Sequence, residues 1–249
     1  MKKLVTFRHG VHTDDHKKET ENAPIRPIIP KDGEIMTFPL IQHIGAPAVP
    51  IVQKGQRVLL GQKIAEAPTL MSSPIHASIS GTIVDFTKTV TTNGSVSEAI
   101  TIENDGLMEE IAFDGAEDFL KFTKDEFLEK IREAGIVGLG GAGFPTHIKL
   151  NPPREKRVDY IIVNAAECEP YLTTDYRIMV EYPKNIKRGL QIMLKIFSSS
   201  KIIIGIEANK PKAIVAMKEI TKYENRISVV VLAPKYPQGS EKQLIQAVT

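Results

Sequence analysis

The stretch Gly138-Leu139-Gly140-Gly141-Ala142-Gly143-Phe144-Pro145-Thr146 is answered further along the chain by Asn164-Ala165-Ala166-Glu167-Cys168-Glu169-Pro170. The glycines at 138, 140, 141 and 143 strip the Cβ atoms from a loop, so backbone N–H groups can lie against a flat or phosphorylated ligand. The second segment follows an apolar run, which puts its Asn and two Glu side chains at a strand's exit. Together they describe a nucleotide-like pocket with a glycine floor and an acidic rim.

Around these segments, the apolar runs Val158 to Val163, Lys201 to Ile206 and Ser228 to Ala233 alternate with helical stretches. Each run is rich in Val and Ile, as in strands covered on both faces of a parallel sheet. Ile186, Leu190, Met193 and Phe197 form one helical stripe with Pro183 near its start. Asn209 is placed to cap a helix carrying Ile214, Met217 and Ile220, and a helix-like tail begins near Gln238. The order β-α-β-α-β predicts an α/β layer whose ligands gather at the carboxyl ends of the strands, where Asn164 to Pro170 lies.

Upstream, Thr123-Lys124-Asp125-Glu126 reads as a capping box, followed by Leu128, Ile131 and Ala134 at helical spacing and by Gly135 at the C′ position. Short β-like runs occupy Ile35 to Leu40, Ala48 to Val52, Arg57 to Leu60, Gly81 to Phe86 and Ala99 to Glu103. Turn signals punctuate them at Lys54-Gly55, Asn93-Gly94 and Asp105-Gly106. The predicted fold class is therefore α/β, with a small N-terminal β barrel-sandwich followed by an α/β domain whose sheet is mainly parallel. The domain expectation is an irregular arm over 1–33, a β-rich barrel-sandwich over 34–110, and an α/β domain over 111–249.

Composition narrows the function. Against 30 acidic residues stand 32 basic ones, a net charge of +2 that gives no strong pull toward nucleic acid. A single cysteine excludes an internal disulfide and any Cys-ligated iron–sulfur cluster built from this chain alone. No apolar run approaches the roughly 18 residues of a membrane span, and Met1-Lys2-Lys3-Leu4-Val5 lacks a signal peptide's apolar core. His9, His12 and His16 lie near Asp14 and Asp15, but their spacing suits only a helix that Gly10 weakens, so a solvated arm and no metal site is expected. Cys168 sits between two glutamates that disfavour its thiolate, so it reads as packing. Lys184, Lys187, Arg188 and Lys195 fall mostly off their helix's apolar stripe and read as a solvated face. No nucleophile or acid–base pair stands out, and no catalytic residue is assigned.

Gly138-x-Gly140-x-x-Gly143 also fits a dinucleotide fingerprint, but that motif should follow a strand, and here a capped helix precedes it. No Gly-x-x-x-x-Gly-Lys-Ser/Thr segment is present for a P-loop. With Lys149 between the two segments and Tyr171 after the second, the pattern resembles the C subunit of the Rnf electron-transport complex, the ion-translocating ferredoxin:NAD oxidoreductase. More distantly it looks like the flavin-carrying subunit of respiratory complex I. The resemblance extends to Gly10-Val11-His12, Gln42-His43-Ile44-Gly45-Ala46, Gly205-Ile206-Glu207-x-Asn209-Lys210-Pro211 and Lys235-Tyr236-Pro237-x-Gly239.

This resemblance implies FMN as the bound flavin, with NAD(H) stacked on it and hydride exchanged between them. Gly138, Gly140, Gly141, Ala142 and Gly143 would lie along the isoalloxazine. Phe144 matches the aromatic that stacks on the adenine, Lys149 a flavin-contacting lysine, and Asn164 a residue that hydrogen-bonds the flavin's polyol chain. Glu167 and Glu169 match acidic positions near flavin and nucleotide, while Tyr236, Gly239 and Glu241 fit a Tyr-x-x-Gly-x-Glu segment beside the nicotinamide. Complex I carries Arg at the position of Leu139 and a carboxylate at that of Ala166, departures that should weaken flavin binding by roughly 0.5–1.5 kcal/mol per lost hydrogen bond.

The same resemblance implies a soluble NADH-dependent flavin oxidoreductase subunit, docked peripherally on the cytoplasmic side of the cell membrane through partner Rnf subunits and passing electrons to iron–sulfur centres. The family's 4Fe-4S clusters belong to a cysteine-rich C-terminal segment, and Gln246-Ala247-Val248-Thr249 ends within an apparent helix, so a fragment is expected, inactive by itself if later contacts are needed. A docking module that has lost flavin, and a related soluble electron-transfer protein of an amino-acid reductase, are the alternatives. Within the β-rich region, Lys54-Gly55-Gln56-Arg57-Val58, Gly61-Gln62-Lys63-Ile64 and Pro74 to Ile83 resemble the hammerhead barrel of biotinyl and lipoyl carriers. Leu70, flanked by Thr69 and Met71, stands where a carrier needs lysine, so a structural or docking barrel is expected.

Overall fold

In a computed structural model the described residues are 4–113, 115, 118–139, 141–153 and 155–249. They form two compact units, Ile28–Glu155 and Met1–Pro27 with Lys156–Thr249.

In the first unit, β1 (Ile35–Pro39), β2 (Val49–Pro50), β3 (Arg57–Val58), β4 (Lys63–Glu66), β5 (Ile75–His76), β6 (Gly81–Val90) and β7 (Val96–Asn104) pair antiparallel. They make two sheets, β1-β7-β6-β3 and β2-β4-β5. Val58, Ile64, Ile83, Ile100 and Ile102 are wholly buried at the centre of one hydrophobic cluster. Each such side chain contributes about 1.5–3 kcal/mol relative to its exposed state. The register shifts between Ile83 and Asp85, and beside this bulge Thr101 Oγ1 donates to Asp85 O at 2.9 Å.

β6 and β7 extend beyond the predicted Gly81–Phe86 and Ala99–Glu103 into a long hairpin. Its outer rungs pair Thr89 with Ser97 and the exposed Val90 with Val96, and such residues carry little apolar signal toward a core. β4 and β5 were not predicted as strands. β4 holds only Ile64 and Ala65 as buried residues and β5 is two residues long, too short for a period to show.

α1 (Lys124–Glu133) begins with the predicted capping box: Glu126 N donates to Thr123 Oγ1 at 3.3 Å and Thr123 N to Glu126 Oε2 at 2.7 Å. The helix ends at Gly135, with φ +67°, and α2 (Thr146–Lys149) opens directly after Pro145.

In the second unit, β8 (Tyr160–Ala165), β9 (Lys201–Glu207) and β10 (Ile227–Leu232) form a parallel sheet in the order β10-β9-β8. The strands alternate with α3 (Thr174–Glu181), α4 (Pro183–Ile196) and α5 (Pro211–Thr221), and α6 (Glu241–Val248) follows the last. β9 is buried along its length after Lys201, with Ile202, Ile204 and Ile206 packed against Met217 of α5 and Leu190 and Leu194 of α4. α3 was not anticipated, because it is short and buries only Tyr176 and Met179.

Of the arm expected over 1–33, residues 4–27 are largely irregular and belong to this unit, while residues 28–33 belong to the first. Val5 bridges Leu232 in parallel and Val11 bridges Tyr236 antiparallel, while Lys17–Glu19 form one 3-10 turn. Of the four basic positions on α4, Lys184, Arg188 and Lys195 are exposed and Lys187 is half-buried.

Candidate functional site

The glycine segment belongs to the unit Ile28–Glu155 and is shaped as a pinched loop. Val137 bridges Pro145, Gly138 N donates to Phe144 O at 2.9 Å, and Thr146 N donates to Ile136 O at 3.0 Å. Gly143 is the position that demands glycine: its φ is +65°, and a Cβ would lie 2.9 Å from both Gln42 O and His43 Cα. That approach, with Ile44 N donating to Gly143 O at 3.3 Å, seats the loop on the Gln42-His43-Ile44 segment. Gly141 is the opposite case, since a Cβ there would meet no atom within 4 Å.

A cavity of about 440 Å³ opens beside the loop, lined by Gly138, Leu139, Gly141, Ala142 and Gly143 together with Gln42 to Ile44 and the β6–β7 turn. Leu139 is 93% exposed at its rim. Phe144 is half-buried, and the Lys149 ammonium lies 6.0 Å from the centre of its ring. Gly140 lies outside the described residues.

The acidic segment and the 236–241 segment come together in the other unit. At the end of β8, Asn164 Nδ2 donates to Gly239 O at 2.8 Å and Asn164 Oδ1 accepts from Ala166 N at 3.3 Å. Gly239 N donates to Cys168 Sγ at 3.3 Å, and burial pushes that thiol's pKa up, as suits packing rather than attack. Glu167 is buried with φ +50°, and its Oε1 accepts from Asp175 N in the first turn of α3 at 2.6 Å. Its Oε2 is buried without a partner among the described residues. Burial raises the pKa of Glu167, and that of Asp175 likewise. Glu169, Tyr236 and Glu241 are exposed.

Sequence reasoning missed the cations that hold this loop. Lys210, 2% exposed, donates to Ala166 O at 2.8 Å and to Glu207 Oε2 at 2.9 Å, and is also within reach of Glu167 O and Asn209 Oδ1. Lys17, 5% exposed, donates to Glu169 O at 2.8 Å and Leu172 O at 2.6 Å. Burial lowers the pKa of Lys17, and Lys210 lowers it further, while burial raises that of Glu207. The one available signal was the Glu207–Lys210 pair three residues apart before Pro211.

Asn209 does not cap α5. Lys210 occupies that position without a side-chain capping bond, and Asn209 Nδ2 donates instead to Asp15 Oδ2 at 3.0 Å. His16 stacks on Tyr171 with centroids 4.7 Å apart. Among the described residues no group of three or more His, Cys, Asp or Glu side chains is placed to hold a metal.

Comparison with known proteins assigns each stretch of chain. Residues 5–107 match the RnfC barrel sandwich hybrid domain, and residues 131–249 match the Nuo51 FMN-binding domain. The chain is thus similar to a barrel-sandwich hybrid domain followed by an FMN-binding-type domain. Its similarity to the RnfC family lies over residues 5–107, and individual relatives extend it to nearly the whole chain.

It is 47% identical over 99% of its length to the C subunit of the proton-translocating ferredoxin:NAD(+) oxidoreductase complex of Clostridium ljungdahlii, of which it covers 53%. It is 39% identical over 98% of its length to the C subunit of the Na(+)-translocating complex of Acetobacterium woodii, of which it covers 55%. The chain thus spans about half the length of these relatives. A crystal structure of an NAD+-reducing [NiFe]-hydrogenase in the air-oxidized state aligns with 52% of this chain and 24% of that one, at 28% identity and a TM-score of 0.44.

Proposed function

We propose that the chain is the NADH-side electron-entry part of a membrane-associated Rnf-type complex, binding FMN and NAD(H). The observation that carries this reading is the cavity lined by Gly138, Gly141 and Gly143, where a Cβ on Gly141 would meet no atom within 4 Å. A floor whose glycines carry no Cβ, with only the small Ala142 among them, Leu139 at the rim and Phe144 following, suits a planar ring pressed against backbone. When bound, FMN supplies the means to take two electrons from NADH and release them singly.

The protein's own residues bind and orient. In this proposal Gly138, Gly140, Gly141, Ala142 and Gly143 support the ring, Phe144 stacks on adenine, and Lys149 supplies positive charge to an electron-rich flavin. Asn164, Glu167 and Glu169 serve the polar parts of flavin and nucleotide, and Tyr236, Gly239 and Glu241 the nicotinamide side. The buried, unpartnered Oε2 of Glu167 supports a polar ligand at that loop. Iron–sulfur partners and peripheral attachment to the cytoplasmic face of the membrane through other Rnf subunits belong to the same proposal. Among the described residues no helix is long and apolar enough to cross a membrane.

The test is to titrate FMN and then NADH into the purified protein as its gene encodes it, following flavin fluorescence. Saturable quenching by the protein and bleaching of bound flavin by NADH are expected. If neither ligand gives a saturable response, the proposal is wrong. Gly141→Glu separates electron entry from mere docking: the first predicts lost electron transfer with the complex still assembled, the second predicts unchanged transfer.

A further inference from the structure

The cavity beside the glycine loop has a second wall, to which the sequence assigned no ligand contact. Gln42, Thr91, Thr92 and Asn93 line it, from the segment after β1 and from the turn of the β6–β7 hairpin. The side chains that this wall contributes are uncharged, and the nearby positive charge is Lys149, whose ammonium a Cβ on Gly138 would meet at 3.3 Å. What the wall offers is two half-used amides. Asn93 Oδ1 accepts from Ser95 N at 3.0 Å, from Ser95 Oγ at 2.7 Å and from Thr91 Oγ1 at 2.7 Å. The backbone N–H of Ser95 fixes which end is oxygen, and the Nδ2 donor makes no hydrogen bond among the described residues. Gln42 Nε2 donates to Pro39 O at 3.1 Å, which leaves its Oε1 as an uncommitted acceptor.

We infer that Gln42 and Asn93 make this cavity a reader of ring edges, recognising a planar nitrogen heterocycle that carries a donor beside an acceptor. The inference rests on the proposed function, and it gives the barrel-sandwich domain a share in ligand specificity rather than a purely structural role. Two sources share the required chemistry: the pyrimidine edge of a flavin, with its N3–H between two carbonyls, and the amino-pyrimidine edge of adenine.

The experiment measures dissociation constants for FMN, N3-methyl-FMN and ADP-ribose, by fluorescence for the flavins and calorimetry for the sugar nucleotide. Asn93→Asp keeps the Oδ1 bonds that shape the turn and replaces the donor, while Gln42→Met keeps length and removes the acceptor. Both positions are exposed, so both variants fold, and Lys88→Ala on the hairpin stem serves as a control. One hydrogen bond lost should weaken binding about 3- to 10-fold.

Weakened FMN binding in both variants, with N3-methylation costing affinity in the parent but not in Gln42→Met, supports the inference and assigns the flavin edge. Weakened ADP-ribose binding alone supports it and assigns adenine. Unchanged affinities in both variants, with the parent binding normally, overturn the inference and leave the proposed function standing. No binding by the parent overturns both.

Discussion

At the glycine loop the cavity lining is uncharged and the ammonium beside it, that of Lys149, is on an exposed side chain, whereas beneath Ala166–Leu172 two buried ammonium groups grip the backbone carbonyls of the loop. One unit presents shape, a bare main chain with neutral amides at its edge. The other presents charge, with Lys17, Lys210, Glu167 and Glu207 all under 9% exposed. The two need different kinds of support. A cavity beside glycine needs only space and a rigid loop, but a buried ion needs its partner present at all times. Substitutions in the two units should therefore fail differently.

The largest effect expected is from Lys210→Met, which strands Glu207 and costs about 3–5 kcal/mol of stability. Urea unfolding measures it. Adding Glu207→Gln should recover a large part of that loss, and a strictly additive double variant would show the pair is not coupled. Next, Gly143→Ala forces both a left-handed φ and a backbone clash, at a cost of about 1–3 kcal/mol, while Gly141→Ala leaves stability unchanged. Equal melting temperatures for the two alanine variants would contradict the pinched-loop geometry.

Acidification sharpens the contrast by sign. In the unit Ile28–Glu155, burial lowers the pKa of His76 and His147 below the ordinary 6.5. The unfolded chain then binds more protons, and their contribution to stability is lost as pH falls through that window. In the other unit, burial raises Glu167, Asp175 and Glu207 above their ordinary 4.5, 3.8 and 4.5. Their contribution is fullest below those values and is lost as pH rises through the raised ones. Asp15 and Glu181 shift downward and reduce that slope without sharing its cause. Between pH 7 and 5, hydrogen-exchange protection should fall in peptides around His76 and His147 and rise in those covering Ala165 to Tyr176. Slopes of one sign in both would refute the assignment. The smallest effect is Thr123→Ala, about 1 kcal/mol from the lost cap of α1, read as a small drop in melting temperature.

The parts of the fold that were legible are those where one residue type has one physical use. The Val- and Ile-rich runs become β8, β9 and β10 within a residue or two. The central β9 is buried after Lys201, as a strand covered on both faces must be, while β8 and β10 at the sheet's edges are mostly half-buried. Thr123 and Glu126 close the expected box. Lys17 and Lys210 were not legible, since a lone lysine in a polar stretch reads as solvated, and only the fold brings carbonyls to its ammonium. Asn209 was misread because a cap and a partner for Asp15 require the same side chain. At the candidate site, sequence identified the glycine loop and the segment after β8. It could not show that Asn164 spends its amide on Gly239, or that Glu167 anchors the first turn of α3.

The pairing of Val5 with Leu232 and of Val11 with Tyr236 has a bearing on biosynthesis. Residues 28–155 are continuous and can condense as soon as they clear the ribosome. Val5 and Val11 meet these partners only once β10 and the segment after it have been made. Both pairings therefore form only after residues 28–155 have been synthesised, so that module can be native before the arm is fixed in place.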